Sequence, residues 1–518
     1  MRRLLFALSA VLLATPARAD WWVAESDHFT VYAEGKAKET EEFTQRLERF
    51  AMAMRTMQNM PVKPKQSAHR LTVYRSGDTT DIARLYGDIQ SPVAGFFIPR
   101  ASGSVAFVPA RETVSRTPGT RDSGDGELKS EIILFHEYVH HFMMQYFPVA
   151  YPAWYIEGFA EVYSTAEFLD QGVFRIGKPA NHRGMQLFYD VQYPVKKLFE
   201  AKQKPDDARH HYSIGWLLTH YLTFSPDRAG QLKKYLAAVS RGTASDEAAR
   251  QSFGDLDKLD REVQRYMTSR LVGYEVKPAG YVAPQVKLRA LTAAETAIIA
   301  SKMRSKRGVN KKSAPRVASE ARAKANPYPN DPFVQTALAE AEFDADNLDA
   351  AKAAADRALA ANPSAIDALI YMGMIDMKRA KKDSSRYAAA RTWFVKANRL
   401  QPNNPEPLIN NYLAFDRAGS EKIPELAIID LERAFELAPF DRNVRFLLAR
   451  QLLREGRGKA ARSVLSSVAF SAHGGKIKEA AEKMLVSIDG SDLKTAIGLA
   501  DKQIESADDE EKEVSRAR

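Results

Sequence analysis

The string FHEYVHHF contains the pattern H-E-x-x-H, formed by His136, Glu137 and His140. Two residues four positions apart on an α-helix differ by about 40° in azimuth, so these two imidazoles can converge on one metal ion. Glu137 would then lie beside the first ligand, within reach of a water held by that ion. The pattern predicts zinc-assisted hydrolysis, in which zinc polarises the water and Glu137 takes its proton.

A third ligand follows at a suitable distance. Sixteen residues separate His140 from Glu157, which stands in the segment AWYIEGFAEVYS. This segment predicts a second helix that presents Glu157 to the same ion. Three protein ligands leave one position open for water, as catalytic zinc sites require. We therefore predict one Zn2+ per chain, held by His136, His140 and Glu157.

Together, HEYVHHF and WYIEGFAE resemble the gluzincin zinc metallopeptidases, and residues 20–272 are similar to their peptidase MA-like branch. The resemblance implies hydrolysis of peptide bonds and implies that Glu157, in the E-G-x-A motif, binds zinc. It also implies that Glu161 accepts a hydrogen bond from a zinc-binding imidazole and is not itself a ligand. Gluzincins stabilise the oxyanion with a Tyr or His from a later helix. The segment HHYSIGW offers Tyr212 as first choice and His211 as second.

Other metallopeptidase classes fit less well. Metzincins need Gly and a third His three and six residues after the second His, where this chain has Met143 and Tyr146. The G-x-M-E-N signature of gluzincin aminopeptidases is replaced by GSVAFVPAR. We interpret residues 104–109 either as an edge strand that pairs with an extended substrate or as an ordinary hairpin strand. A structural zinc site would need a fourth ligand, usually Cys, and the chain has no Cys.

Further histidines and aromatic residues have simpler interpretations. His141 lies about 100° around the helix from His140, so we expect it to point away from the metal. No spacing to a partner suggests a metal site at the other scattered histidines: His28, His69, His182, His220 and His473. The aromatic group between the two metal helices is predicted to be core more than substrate pocket. Its members are Tyr146, Phe147, Tyr151, Trp154 and Tyr155.

The elements around the motif predict an α+β gluzincin-type metallopeptidase domain with a mixed sheet lobe and a helical lobe. Strand-like alternation occurs at residues 28–35 and 70–77, and two β-rich runs near residues 93–111 indicate a hairpin. A loop rich in Gly, Ser and Asp, residues 117–127, precedes the metal helix. Helical patterns cover residues 38–57, 79–86, 128–146, 152–168, 211–222, 229–238 and 255–271.

The C-terminal half has a different composition, rich in Ala, Leu, Arg, Lys and Glu. Prolines that end helices recur at Pro327, Pro363, Pro402 and Pro439, with separations of 36, 39 and 37 residues. Paired helices with this period resemble a degenerate tetratricopeptide pattern. The resemblance implies an all-α tetratricopeptide-like solenoid that binds a protein partner or the substrate.

Composition restricts location and partners. Residues 1–19 have a basic start, a short apolar run and a small-x-small ending, which predicts a signal peptide cleaved near Ala19 and a periplasmic or secreted protein. No later stretch is long and apolar enough for a stable membrane span. The formal charge of +10 is modest for 518 residues. We interpret the basic run at residues 302–324 as a solvated helix surface, and expect no nucleic-acid partner.

These features predict an exported zinc metallopeptidase whose helical repeats bind a partner or substrate. The alternative is an envelope assembly or adaptor protein of the tetratricopeptide type, with an inactive peptidase-like domain. The predicted division is a signal peptide (1–19), the metallopeptidase domain (20–272), a linker (273–290), the helical repeats (291–487), and a C-terminal helix with a charged disordered tail (488–518).

Overall fold

The structure, a computed structural model, describes residues 20–60, 70–89, 93, 95–111, 130–147, 149, 151–190, 192–200, 209–419, 422–470 and 475–510. The predicted signal peptide, the loop at residues 117–127, His69 and His473 lie outside this part of the chain. The described chain is mixed α+β, with two sheets in its N-terminal half and helices alone from residue 293 onward. None of its helices has both the length and the apolar character needed to cross a membrane.

Nine strands are described: β1 (Trp21–Glu25), β2 (Phe29–Glu34), β3 (Leu71–Arg75), β4 (Phe96–Ile98), β5 (Val105–Val108), β6 (Glu167–Phe168), β7 (Phe174–Ile176), β8 (Tyr274–Val276) and β9 (Lys287–Ala290). Six of them form one sheet in the order β4-β5-β3-β2-β1-β9, and β6, β7 and β8 form a second sheet. In the large sheet β2, β3 and β5 are parallel, whereas the outer pairs are antiparallel.

Of the two interpretations of residues 104–109, the edge strand is wrong and the hairpin strand is confirmed. Strand β5 pairs with β3 on one side and with β4 on the other, so β4 is the outermost described strand at that end of the sheet. All four residues of β5 are buried. A continuous apolar run such as VAFV is typical of a strand covered on both faces, and this signal in the sequence favours an internal position.

Strands also occur in the stretch assigned to a linker, residues 273–290. Strand β8 adds to β7 in the small sheet, and β9 adds to β1 at the far end of the large sheet. Prolines and glycines do interrupt the helical pattern there, but two short, largely exposed segments still form sheet ladders. Residues 274–276 and 287–290 therefore belong to the sheets of the N-terminal half.

The described part of the N-terminal half contains nine α-helices: α1 (Ala37–Met57), α2 (Thr79–Tyr86), α3 (Ser130–Tyr146), α4 (Ala153–Ser164), α5 (Gly184–Asp190), α6 (His210–Phe224), α7 (Gln231–Ser240), α8 (Ser245–Phe253) and α9 (Leu256–Met267). One face of the large sheet packs against α1 and α3, where the Phe29 ring lies 5.3 Å from that of Tyr138. Helix α4 ends before residues 167–168, which were predicted as helical and instead begin the small sheet.

The remaining twelve helices form a helical array, residues 293–510: α10 (Ala293–Arg307), α11 (Ala314–Ala325), α12 (Pro332–Asp344), α13 (Leu348–Ala361), α14 (Ile366–Ala380), α15 (Arg386–Leu400), α16 (Pro405–Asp416), α17 (Glu425–Leu437), α18 (Arg442–Arg454), α19 (Gly458–Ala469), α20 (Gly475–Asp489) and α21 (Leu493–Glu510). Each recurring proline stands two residues after a helix end, because proline cannot continue a helix. The charged tail predicted to be disordered covers residues 505–518. The last helix includes residues 505–510 of it, and residues 511–518 lie outside the described chain.

The helical array covers the second face of the large sheet. Ile299 and Met303 of α10 pack with Tyr74 and Phe107 in one buried cluster. The interpretation of residues 302–324 as a solvated helix surface is therefore wrong for Lys302, the first residue of the run. Lys302 is only 8% exposed and lies over an aromatic ring, because α10 is packed between the sheet and the next helical pair.

The array also contacts the helix that carries the H-E-x-x-H pattern. The Phe440 ring lies 4.6 Å from that of His141, and the Gln145 side chain donates a hydrogen bond to the Leu437 carbonyl. The Ala101 amide, in the turn between β4 and β5, donates to Asp441 Oδ2 at 2.7 Å. The segment between α17 and α18 thus packs on the outer side of α3 and on the neighbouring hairpin.

We expect Asp441→Ala to lower the free energy of unfolding more than Asp331→Ala. Both aspartates cap a repeat helix, at Val444 N and Val334 N respectively, and loss of a cap costs about 1 kcal/mol. Asp441 also accepts the buried Ala101 amide, whose loss adds about 1 kcal/mol. Chemical denaturation of the two variants measures the difference. Equal losses would mean that the contact between the array and the hairpin contributes nothing to stability.

Candidate metal centre

Helix α3 has two neighbouring faces: one packs in the core, and the other carries the histidines of the pattern. Phe135, Tyr138, Val139 and Phe142 recur at helical spacing, are buried, and belong to the core beneath the large sheet. The two histidines of the pattern lie beside this apolar stripe, on the side that meets α4. Packing of the stripe therefore determines the direction in which the imidazoles point.

Three side chains from α3 and α4 converge closely. His136 Nε2 and His140 Nε2 lie 3.0 Å apart. Glu157 Oε2 lies 3.3 Å from the first nitrogen and 3.5 Å from the second. Glu157 is 1% exposed and His136 is 9% exposed, so the triangle of ligand atoms is screened from bulk water.

The triangle has the size that a zinc ion requires. Zinc bonds to imidazole nitrogen and carboxylate oxygen are about 2.0–2.2 Å long, so neighbouring ligand atoms in a tetrahedral site lie about 3.3 Å apart. The three measured edges, 3.0, 3.3 and 3.5 Å, surround this value. Two imidazoles and one carboxylate are also a donor set that zinc favours. The residues therefore fit zinc in number, type and spacing.

The far side of the His136 ring is held by a second carboxylate. His136 Nδ1 lies 3.3 Å from Glu161 Oε1, one helical turn beyond Glu157. Burial lowers the pKa of His136, but hydrogen bonds and charge from Glu157 and Glu161 outweigh it and raise the pKa to about 10. The site thus favours positive charge at this position. A divalent cation would satisfy the same two carboxylates.

Two further residues bind Glu161 and were missed by the sequence analysis. His182 Nε2 lies 2.8 Å from Glu161 Oε2, while the Arg183 guanidinium donates to Oε1 at 2.6 and 3.0 Å. Burial raises the pKa of Glu161, but His136, His182 and Arg183 more than compensate and hold that pKa far below its usual range. No periodicity links residues 182–183 to the motif. The small sheet turns the chain back over α4 and brings them there.

Glycine is required at position 158 by the close approach of α4 and α6. A Cβ atom at Gly158 would lie 2.3 Å from the Gly215 carbonyl oxygen and 2.4 Å from Thr219 Oγ1. A Cβ atom at Gly215 would in turn lie 2.7 Å from the Trp154 carbonyl oxygen. Contacts below 3 Å cannot form without moving a backbone, so these glycines determine how near α6 lies to Glu157.

This close packing brings one of the two predicted oxyanion donors to the site. The Tyr212 ring, in the first turn of α6, lies nearly parallel to the His136 ring at 6.1 Å. Burial, followed by the charges of Glu157 and Glu137, raises the pKa of Tyr212 well above its usual value, so the phenol keeps its proton. His211 is buried on the same helix, about 100° away around the axis.

The aromatic residues between α3 and α4 are core residues for the most part. Trp154 is fully buried and donates a hydrogen bond to Tyr235, and Tyr155 is 8% exposed. Tyr146, Phe147 and Tyr151 are partly buried and pack against the same cluster. As expected, His141 is turned toward β4 and the helical array, where it contacts Phe97 and Phe440.

Comparisons with known protein families and with curated protein sequences find no match to this chain. The side chains themselves and their geometry are therefore the basis for inferring function.

Gly158→Ala should destabilise the protein by about 1–3 kcal/mol, because the added methyl group overpacks the contact between α4 and α6. It should also weaken zinc binding, since α4 carries Glu157. Gly498→Ala in α21 is the matched control, because its added Cβ meets no atom within 4 Å. Thermal unfolding and zinc titration of both variants test this expectation. Identical behaviour of the two variants would exclude a special role for Gly158.

Proposed function

We propose that this protein is a zinc-dependent metallopeptidase of the gluzincin kind, which hydrolyses peptide bonds in polypeptide substrates. The observation that carries the proposal is the triangle of His136, His140 and Glu157, whose edges match a tetrahedral zinc site. The group has three members among the described residues, the number typical of catalytic zinc sites. Bound zinc supplies a Lewis acid that activates water and polarises a carbonyl.

We assign to Glu137 the proton transfer that hydrolysis requires. It follows His136 directly, is half-buried, and has a charge that acts on Tyr212. Its carboxylate accepts a proton from the attacking water as the water oxygen bonds to the carbonyl carbon. When the C–N bond breaks, the same proton passes to the leaving nitrogen. One side chain therefore acts first as base and then as acid.

Tyr212 is the group that we assign to the developing oxyanion. A phenol is protonated at neutral pH, and burial with nearby carboxylates raises the pKa of Tyr212 further, so its O–H is a hydrogen-bond donor. The Tyr212 ring centre lies 6.1 Å from that of His136, so Tyr212 stands next to a proposed zinc ligand. Donors aimed at charge that develops in the transition state contribute strongly to acyl-transfer catalysis. His211 remains the second candidate for the oxyanion donor.

The rest of the chain fits an exported enzyme with a recognition module. We propose that the helical array is tetratricopeptide-like and binds a protein partner or the substrate. Two features support this: repeated helical pairs, and direct packing of the segment between α17 and α18 on α3. Export to the periplasm or beyond is proposed from residues 1–19, whose sequence is typical of a signal peptide.

Zinc content and hydrolysis of an unfolded protein, measured on wild type and Glu137→Gln, test the proposal. The wild type should bind about one zinc per chain and cleave the substrate. Glu137→Gln should keep zinc but lose activity by about 10²–10⁴-fold, the usual contribution of a general acid–base group. Glu131→Gln, on the same helix but paired with Arg46, should keep both properties.

The other outcomes identify the alternatives. If the wild type binds no zinc, the catalytic assignment is wrong and the helical array becomes the functional part. If it binds zinc but does not cleave, an assembly or adaptor protein with an inactive peptidase-like domain is favoured. Equal loss of activity in Glu131→Gln and Glu137→Gln would contradict the assignment of Glu137 as the proton carrier.

A further inference from the structure

Arg183 contacts two parts of the candidate site at once. Its guanidinium donates two hydrogen bonds to Glu161 Oε1, through Nε at 3.0 Å and Nη2 at 2.6 Å. The carbon at the centre of the same guanidinium lies 4.9 Å from the centre of the Tyr212 ring. One side chain therefore touches both the carboxylate behind His136 and the residue assigned to the oxyanion.

Glu161 requires such a partner because it is 1% exposed. A buried carboxylate is costly unless opposite charge and hydrogen bonds compensate for the water that it loses. Arg183 compensates at Oε1, which also faces His136 Nδ1 at 3.3 Å, and His182 takes Oε2 at 2.8 Å. The position of Arg183 thus influences the oxygen that orients the metal-binding imidazole.

Tyr212 is restrained by aromatic contacts. The centre of its ring lies 6.1 Å from the centre of the His136 imidazole and 4.9 Å from the central carbon of the Arg183 guanidinium. A cation over an aromatic face attracts the ring, and a planar guanidinium can also stack on it. The direction of the ring determines where its hydroxyl lies, so a shift of Arg183 moves the donor.

We propose that Arg183 is a positioning residue that couples Glu161 to Tyr212, so that one guanidinium orients both the His136 ligand and the oxyanion donor. This inference rests on the proposed function, because it assigns a task to a residue around that same zinc site. Lysine cannot replace arginine in it. An ammonium group retains the charge but lacks the planar fork that binds a carboxylate and stacks on a ring.

The first test measures zinc affinity by competition with a chromophoric chelator, on the full-length protein and without substrate. Arg183→Met should weaken zinc binding about tenfold or more, as is usual when a partner behind a metal ligand is removed. Arg183→Lys should restore part of this loss because it keeps the charge. Arg175→Met, an arginine of the small sheet paired with Glu167 and Glu275, should leave the affinity unchanged.

The second test separates the two contacts by kinetics, with a peptide that contains the bond cleaved in the unfolded protein and with zinc at saturation. Arg183→Met and Arg183→Lys should both lower kcat about tenfold with little change in KM. A misplaced oxyanion donor weakens binding of the transition state only. In a Tyr212→Phe background the same Arg183 substitutions should have little further effect, since the donor is already absent. Tyr212→Phe alone should leave zinc affinity unchanged.

Each result decides one point. Unchanged zinc affinity in Arg183→Met overturns the link to Glu161. If an Arg183 substitution lowers kcat by the same factor in the Tyr212→Phe background as in wild type, the link to Tyr212 is overturned. If Arg183→Met unfolds at a lower temperature than wild type, Arg183→Lys is the variant to compare. If Arg183→Lys recovers zinc affinity but not kcat, catalysis requires the planar guanidinium and not only its positive charge. A wild type that binds no zinc overturns the proposed function and this inference together, whereas a normal wild type with indifferent Arg183 variants overturns this inference alone.

Discussion

Two buried carboxylates on one face of α4 need compensating partners, and the surrounding structure supplies them. Glu157 and Glu161 are each 1% exposed and stand one helical turn apart, so two negative charges are buried in an apolar core. Such charges are tolerated only when cations or hydrogen-bond donors replace their water. Glu157 faces the two imidazoles of α3, and Glu161 faces His182 and Arg183. The two carboxylates therefore differ in their partners: Glu157, which could bind a metal ion, faces imidazoles, and Glu161 is bound by a histidine and an arginine.

The geometry around these carboxylates follows from close packing. Backbone contact between α4 and α6 at Gly158 and Gly215 leaves no room for a side chain, and it brings the start of α6 to the metal group. The apolar stripe of α3 packs against the core and turns His136 and His140 toward α4. Neither contact involves a reacting group, yet together they determine how His136, His140, Glu157 and Tyr212 lie relative to one another.

The large sheet is the middle layer of the molecule. Its first face packs against α1 and α3, and its second face packs against α10 of the helical array. The array then returns to α3 through the contact between Phe440 and His141. The H-E-x-x-H helix is therefore held from two sides, by the core of its own half and by the repeats.

The sequence by itself determined the local features of this protein: the helix around His136, Glu137 and His140, the helix around Glu157, and the helix ends before the recurring prolines. These helices and helix ends depend on the spacing of residues within one chain segment. The periodicity of apolar residues and the positions of prolines indicate them directly. Only the tertiary structure decided that β5 is internal, that Lys302 is buried, and that His182 and Arg183 reach Glu161. Each of these depends on contacts between segments far apart in the chain, and such contacts follow from packing of the whole core, which no local pattern records.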